Sequence, residues 1–330
     1  VLSGGGAKGA FEAGVVAALD DAGVRPEVVS GTSAGAINAA AVACGVPVER
    51  LVELWGSLES GDVYRVRRDV HRLVRPAHLL GNPRALLGRG QLSASEHLLG
   101  SIGWTWLFHT APLRRRLVSV LGGEVLPLRD DRVLTVACVN AATGELVRFT
   151  NRAPTGERAD PSYREVTLTV DHLLASAAIP GVFAPVEVEG STWWDGGLVA
   201  NTPLTAAMGY DPETAIVVAS GAVESTGRAP RSLGEAASQI IDHVMRFSMV
   251  KDMDHAQTVN ELVAAAPNAT PHRRVRLVPV VPDDGDRTGL GELLDFDPAR
   301  ARQLVRNGRA AGAEAIRRWR DGESIGDWEA

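Results

Sequence analysis

Three short stretches hold residues whose types and spacing can do chemistry. The first is Gly31-Thr32-Ser33-Ala34-Gly35, a G-x-S-x-G pattern lying between the apolar run Val28-Val29-Ser30 and an alanine-rich run from Ala34 to Cys44. A serine in that setting sits on a tight strand-to-helix turn, and glycines at Gly31 and Gly35 remove the side chains that would collide there. At a helix N-terminus the dipole favours a developing alkoxide and an oxyanion. The same residues also suit a plain helix cap, so Ser33 requires partners before it is read as a nucleophile.

The second stretch is Gly4-Gly5-Gly6-Ala7-Lys8-Gly9, a loop whose backbone N–H groups converge on one place and so bind an anion. An oxyanion hole and a phosphate cradle both fit, and Gly4, Gly6 and Gly9 satisfy the dinucleotide pattern G-x-G-x-x-G. The P-loop pattern fails because Lys8 is followed by Gly9. A dinucleotide site also calls for an acidic residue on the tip of the next strand, and that strand ends instead in the Ser33 turn. An oxyanion hole accounts for both loops together. Lys8, one of only two lysines among 34 basic residues, reads as an anchor of the loop or a substrate contact.

The third stretch, Asp195-Gly196-Gly197, sets an acid in a flexible turn after Trp193-Trp194. A surface turn has the same composition. The eight histidines (His71, His78, His97, His109, His172, His243, His255 and His272) stand mostly in helical or insertion segments, and none has glycine flanks that mark a catalytic loop. A Ser-His-Asp triad is therefore left without a histidine.

The elements that must position these groups follow from periodicity. Val1 to Ser3 is the end of a strand, Gly9 to Asp21 has helical spacing, and Val28–Ser30 followed by Ala34–Cys44 repeats strand, sharp turn, helix. Further strands are expected at 133–139, 146–150, 215–219 and 275–281, with helices at 170–178, 232–250 and 298–319. Asp297-Pro298 opens the last helix as an N-cap with proline at the first helical position. The helix at 232–250 carries an apolar stripe of Leu233, Ala237, Ile240, Val244 and Phe247 that reads as a core face or a dimer face. Strands alternating with helices predict an α/β sheet covered on both faces. The stretch from Gly61 to Arg116 holds ten arginines against three acids, together with the cluster Trp104-Thr105-Trp106-Leu107-Phe108. It reads as an insertion, a cap or lid of 61–116 within a single domain of 1–330.

Composition narrows the classes. With 330 residues, 45% of them hydrophobic, the chain can bury a full core, and its apolar runs stay well short of the 18 or more residues of a spanning helix. A net charge of −6 provides no basic field for nucleic acid. Cys44 and Cys138 read as buried thiols, which suits a reducing, cytoplasmic compartment, and no secretory signal is visible from Val1 onward. No metal-ligand spacing occurs, so no metal and no cofactor is expected. An arginine-rich, aromatic insertion suits peripheral contact with an anionic lipid surface.

Taken in order, the glycine loop, the G-x-S-x-G elbow and the D-G-G segment resemble the patatin-like phospholipase family. Two further stretches agree: Ala175-Ser176-Ala177-Ala178-Ile179-Pro180-Gly181 and Asn201-Thr202-Pro203-Leu204. The resemblance covers about residues 1–57 and 130–221 well and the insertion poorly. It implies a three-layer α/β/α fold with a mainly parallel sheet and a helical cap. It also implies a Ser/Asp dyad, with Ser33 as nucleophile and Asp195 as base. Under this reading Gly4, Gly5, Gly6, Ala7 and Ala34 supply the oxyanion hole, and no histidine is needed. The implied substrates are phospholipids, lysophospholipids or neutral acyl esters. A transacylase on the same dyad, and a nucleotide-binding module using the glycine loop, are the competing readings.

Overall fold

A computed structural model describes residues 1–67, 105–221, 229–266, 272–282 and 290–322. The expectations for Trp104 and for the arginines between 68 and 104 lie outside these residues. After the glycine loop come α1 (Gly9–Asp21), β1 (Val28–Gly31) and α2 (Ala34–Cys44), as the periodicity predicts. Next are α3 (Val48–Ser57), α4 (Ser60–Val63), and the short antiparallel pair β2 (Arg65–Val66) and β3 (Phe108–His109). The central part holds α5 (Ala111–Leu121), β4 (Val133–Asn140), β5 (Leu146–Thr150), β6 (Tyr163–Glu165), α6 (Val170–Ser176), β7 (Val186–Val188) and β8 (Ser191–Asp195). The chain continues through α7 (Leu204–Met208), β9 (Thr214–Val218), α8 (Leu233–Ala265), β10 (Arg276–Val280), α9 (Leu290–Leu293) and α10 (Pro298–Arg320).

The sheet has a parallel half and an antiparallel wing. β10 pairs with β9, and β1 with β4, both in parallel. Leu2 bridges Gly31 on one side and Val218 on the other, so residues 1–3 fill the place between β1 and β9. Beyond β4 lie β5, antiparallel to it, and β6, parallel to β5. β4 also receives β8, antiparallel, and β7 extends that pair. Strand ends on the parallel half therefore release the glycine loop after Ser3 and the elbow after Gly31 on one edge, where ligands bind in open α/β sheets.

Side-chain alternation shows the layers. Val218, Val278 and Val280 face a core shared with α1, α2, α3, α5, α6 and α10, whereas Ala215, Val217, Ala219 and Val275 face a second cluster with Leu204 of α7 and Met249, Met253 and Ala256 of α8. The result is three layers, α/β/α. The first half of α5 falls within the segment expected as a cap, yet Leu113 there is buried in the main core together with Leu117 and Leu121 beyond it.

Two helices differ from expectation. α8 runs to Ala265 rather than ending near 250, because residues 235 to 266 contain neither glycine nor proline and Pro267 provides the stop. From its expected stripe, Ile240, Val244 and Phe247 are exposed, and the packed face instead carries Ser248, Met249, Met253 and Ala256. α10 follows its sequence signals: Asp297 Oδ1 accepts the Arg300 N–H at 2.7 Å, and Leu304, Val305, Gly308, Ala315 and Ile316 are buried.

α10 crosses α1 closely. A side chain at Gly308 would meet the Phe11 carbonyl, and one at Gly14 would meet the Val305 carbonyl. Both obstacles are backbone, which cannot swing away. Gly308→Ala is expected to destabilise the fold by about 2 kcal/mol through overpacking, read as a lower midpoint in urea unfolding with an unchanged slope.

Candidate active site

The elbow forms where β1 leaves the sheet. Ser33 adopts φ 54° and ψ −122°, a region that side chains rarely occupy and that costs on the order of 1–3 kcal/mol. The neighbouring backbone holds it there. The Thr32 N–H donates to the Leu2 carbonyl at 3.2 Å, and Thr32 Oγ1 donates to the Ala200 carbonyl at 2.8 Å. Side chains at Gly31 and Gly35 would strike the Gly35 carbonyl and the Leu2 and Ser3 carbonyls respectively, which explains both elbow glycines. Ala34 opens α2, so its N–H has no acceptor within the helix and is free to point at a ligand.

Asp195 reaches the same place from the opposite direction. On β4, Val136 pairs with Gly31, and Cys138 pairs with Asp195. β1 and β8 thus meet end to end along one edge of β4, with only Ala137 between them. Asp195 Oδ1 accepts the Gly197 N–H at 2.7 Å and caps the turn Gly196–Leu198. A side chain at Gly196 would strike the Ala137 carbonyl, and one at Gly197 would crowd the Asp195 carboxyl itself. The carboxyl is buried, and desolvation pushes it from an ordinary 3.8 up to about 7, against the lowering effect of hydrogen bonding from Gly197 and from the Ser33 side chain. Its immediate neighbour across the ladder is Cys138, itself buried; Trp193 shares that face two residues away, stacked edge-on against Phe149.

The glycine loop lies beside the elbow. Gly4 does not belong to the expected donor set, because its N–H already donates to the Asn201 carbonyl at 2.9 Å. Its carbonyl in turn accepts from Asn201 Nδ2 at 3.2 Å and from Ser220 Oγ. Gly5, Gly6 and Ala7 form the turn proper, with Gly6 at φ 53° and packed over the Leu293 carbonyl. Lys8 is buried and engaged. Gly9 packs on the Trp55 ring, and its carbonyl accepts Asn38 Nδ2 at 2.9 Å. The same Asn38 amide donates to Glu12 at 3.0 Å, while its oxygen accepts the Trp55 indole at 2.7 Å. Burial pushes the Glu12 carboxyl up to about 8.

From Ser33 and Gly6 an apolar pocket of about 570 Å³, mouth included, extends between α2, α3, α5 and α9. Ile37, Leu54, Trp55, Leu117 and Phe183 are among its walls, and Thr110 is the polar side chain besides Ser33. Tyr64, Phe108, Phe183 and Phe296 pack into one aromatic cluster at its edge, with the Tyr64 and Phe108 centroids 4.7 Å apart. Phe108 is thus a structural residue, not an exposed one, and Trp106 is covered by the Arg67 guanidinium at 4.1 Å.

Several positions here were not singled out individually by sequence reasoning. Ser176 Oγ accepts the Ser33 N–H at 2.9 Å and donates to the Ala137 carbonyl at 2.7 Å. Asn201, Ser220 and Asn38 support the glycine loop. Ser176 and Asn201 belong to the two stretches that carry the family resemblance, which was the available signal. Ser220 and Asn38 had none.

An elbow serine, a buried carboxyl and a glycine-rich turn thus come together at one edge of the α/β sheet. The family described as Patatin-like phospholipase matches residues 1–208, and the chain belongs to that family. The chain is similar to a lysophospholipase, nte1, of Aspergillus terreus, with 22% identity over 264 residues. That match covers 80% of this chain but only 14% of the relative, whose length far exceeds it. Among solved structures, VipD from Legionella pneumophila matches 96% of this chain and 66% of its own at 16% identity and a TM-score of 0.43. The type III effector protein ExoU matches 96% of this chain and 52% of its own at 17% identity and a TM-score of 0.41.

A carboxyl raised by burial weakens the fold at high pH, because between its unfolded and folded pKa values the native state holds a proton that the unfolded chain releases. With Asp195 near 7 instead of 3.8, the loss is fully present above pH 7 and amounts to at most about 4 kcal/mol. Asp195→Asn removes it. The variant is expected to melt several degrees higher than the parent at pH 8 and at a similar temperature at pH 4.

Proposed function

We propose that the chain hydrolyses acyl esters of lipids, of the phospholipid or lysophospholipid class, through a Ser33–Asp195 dyad and an acyl-enzyme intermediate. One observation carries this reading: a carboxyl with a pKa of about 7 faces the strained elbow serine, whose pocket is apolar. Asp195 takes the Oγ proton as Ser33 attacks the ester carbonyl carbon. The oxyanion is received by the N–H groups of Gly5, Gly6, Ala7 and Ala34. Collapse breaks the ester bond, and the departing alcohol leaves with the proton held by Asp195. Water then attacks the acyl-enzyme with Asp195 as base once more, releasing the fatty acid. Lys8 is assigned to anchoring the loop from below, and Gly9 to its close seat on Trp55.

The substrate assignment rests on the pocket. Its walls suit an acyl chain, and the segment 61–116 is read as an insertion rooted at the aromatic cluster beside the mouth. An alcohol in place of water would make the enzyme a transacylase; Ser33 and Asp195, each about nineteen parts in twenty buried, suit that acceptor as well. Product analysis with an added acceptor alcohol separates the two. Among the described residues no helix is long and apolar enough to cross a membrane. A peripheral lipid contact is assigned to the exposed Ile240, Val244 and Phe247 face of α8, which packs near the acid turn through Ser248, acceptor of the Asn201 N–H at 2.9 Å.

Four outcomes test the reading. A fluorophosphonate is expected to label Ser33, with labelling lost in Ser33→Ala, and Asp195→Asn is expected to lower kcat on a soluble ester by about 10³-fold. An unlabelled parent, or an active Asp195→Asn, refutes the dyad. Because the base must be unprotonated, kcat/KM is expected to rise with pH to a plateau, with its midpoint near 7. Phe247→Ser is expected to reduce binding to phospholipid vesicles several-fold, whereas hydrolysis of a short soluble ester stays within about twofold.

A further inference from the structure

The gap between β1 and β8 leaves two backbone groups without a sheet partner. The Ser33 N–H has turned out of the ladder, and the Ala137 carbonyl points to where neither strand continues. One hydroxyl satisfies both: Ser176 Oγ accepts the first at 2.9 Å and donates to the second at 2.7 Å. Ser176 is fully buried at the end of α6, and the Ala137 it bonds precedes Cys138, the residue paired with Asp195. Two residues on, the Ala178 carbonyl accepts the Asp195 N–H at 3.0 Å. The intervening and following residues, Ala177 and Ile179, line the acyl pocket.

We infer that Ser176 is a positioning residue for the reaction, the pin of a clamp (Ser176 to Ala178) that fixes the elbow serine in its strained conformation and sets its separation from Asp195. The clamp touches the nucleophile through its own amide, so Ser176 needs no contact with substrate. It also explains why the Ser33 N–H is not a member of the oxyanion hole: that donor is already committed. The neighbouring Ala34 N–H, in contrast, stays available. Since alternate residues of one segment hold the dyad and line the pocket, an acyl chain seated on Ala177 and Ile179 presses on the same backbone that aligns Ser33 with Asp195.

This inference rests on the Ser33 nucleophile of the proposed function, and the two fail differently. If a fluorophosphonate does not label the parent chain, the hydrolase reading falls. With a labelled parent, Ser176→Ala and the similarly sized Ser176→Cys are compared on a soluble ester, with thermal melts of each variant. Misalignment of the nucleophile is expected to lower kcat and the fluorophosphonate inactivation rate together by roughly 10- to 100-fold, with KM within about twofold. Ser176→Thr, which keeps the hydroxyl, is expected to recover most of that loss. If Ser176→Ala does not fold, Ser176→Cys carries the comparison. Variants that melt lower but retain the parent's kcat and inactivation rate, or a Cys variant as active as the parent, overturn the clamp.

Discussion

The structure depends on two strands sharing one edge of a third. β1 runs up β4 as far as Val136 and β8 runs down it as far as Cys138, so their ends are forced to within a residue of each other. The chain leaves β1 through a serine and leaves β8 through an aspartate. No loop has to search for its partner, since the hydrogen-bond ladder of β4 determines where both side chains emerge. The glycine loop completes the arrangement because residues 1–3 lie beside β1, between it and β9, and end at the same edge. Three segments from far apart in the chain converge through register alone.

That convergence is costly, and the supporting contacts show where the cost is offset. A serine at positive φ and a buried carboxyl raised to about 7 each oppose folding. Around them, several polar side chains take up backbone groups that the turns leave over. Ser176 takes Ser33 and Ala137, Thr32 takes Ala200, Asn201 and Ser220 take Gly4, and Asn38 takes Gly9. In the proposed mechanism the amides of Gly5, Gly6, Ala7 and Ala34 are those that an oxyanion would meet.

Much of this was legible in the sequence for a physical reason: sharp turns demand glycine, and glycine is visible. The elbow, the loop and the acid turn all announced themselves in this way, as did the α10 start at Asp297-Pro298. What stayed hidden was set by partners distant in sequence. Gly4 has the same neighbours as Gly5 in the chain, and only the Asn201 carbonyl, nearly two hundred residues away, removes its amide from the donor set. Ser176 looks like one more small residue in an alanine-rich stretch until Ala137 and Ser33 are seen on either side of it. Sequence does not determine which part of the α8 stripe packs inward, because helical periodicity fixes that a face is apolar but not which neighbour covers it.

That the proposed dyad needs no histidine follows from the same geometry. A histidine base in a triad is usually oriented by a third residue and works through an imidazole that is near neutral pKa in water already. A carboxylate in water is a far weaker base, near 4, and becomes useful only when its charged form is made less comfortable. Burial on the β4 ladder beside Cys138 does this, while hydrogen bonds from the Gly197 N–H and the Ser33 side chain hold the carboxyl in place without stabilising its charge enough to undo the shift. A further strong donor would pull the pKa back down. Gly196 bears on this as well: with the backbone of the turn pressed against the Ala137 carbonyl, there is no side chain there to bring such a donor, or water, to the acid. The basicity of Asp195 is thus a consequence of how tightly the turn after β8 closes on β4.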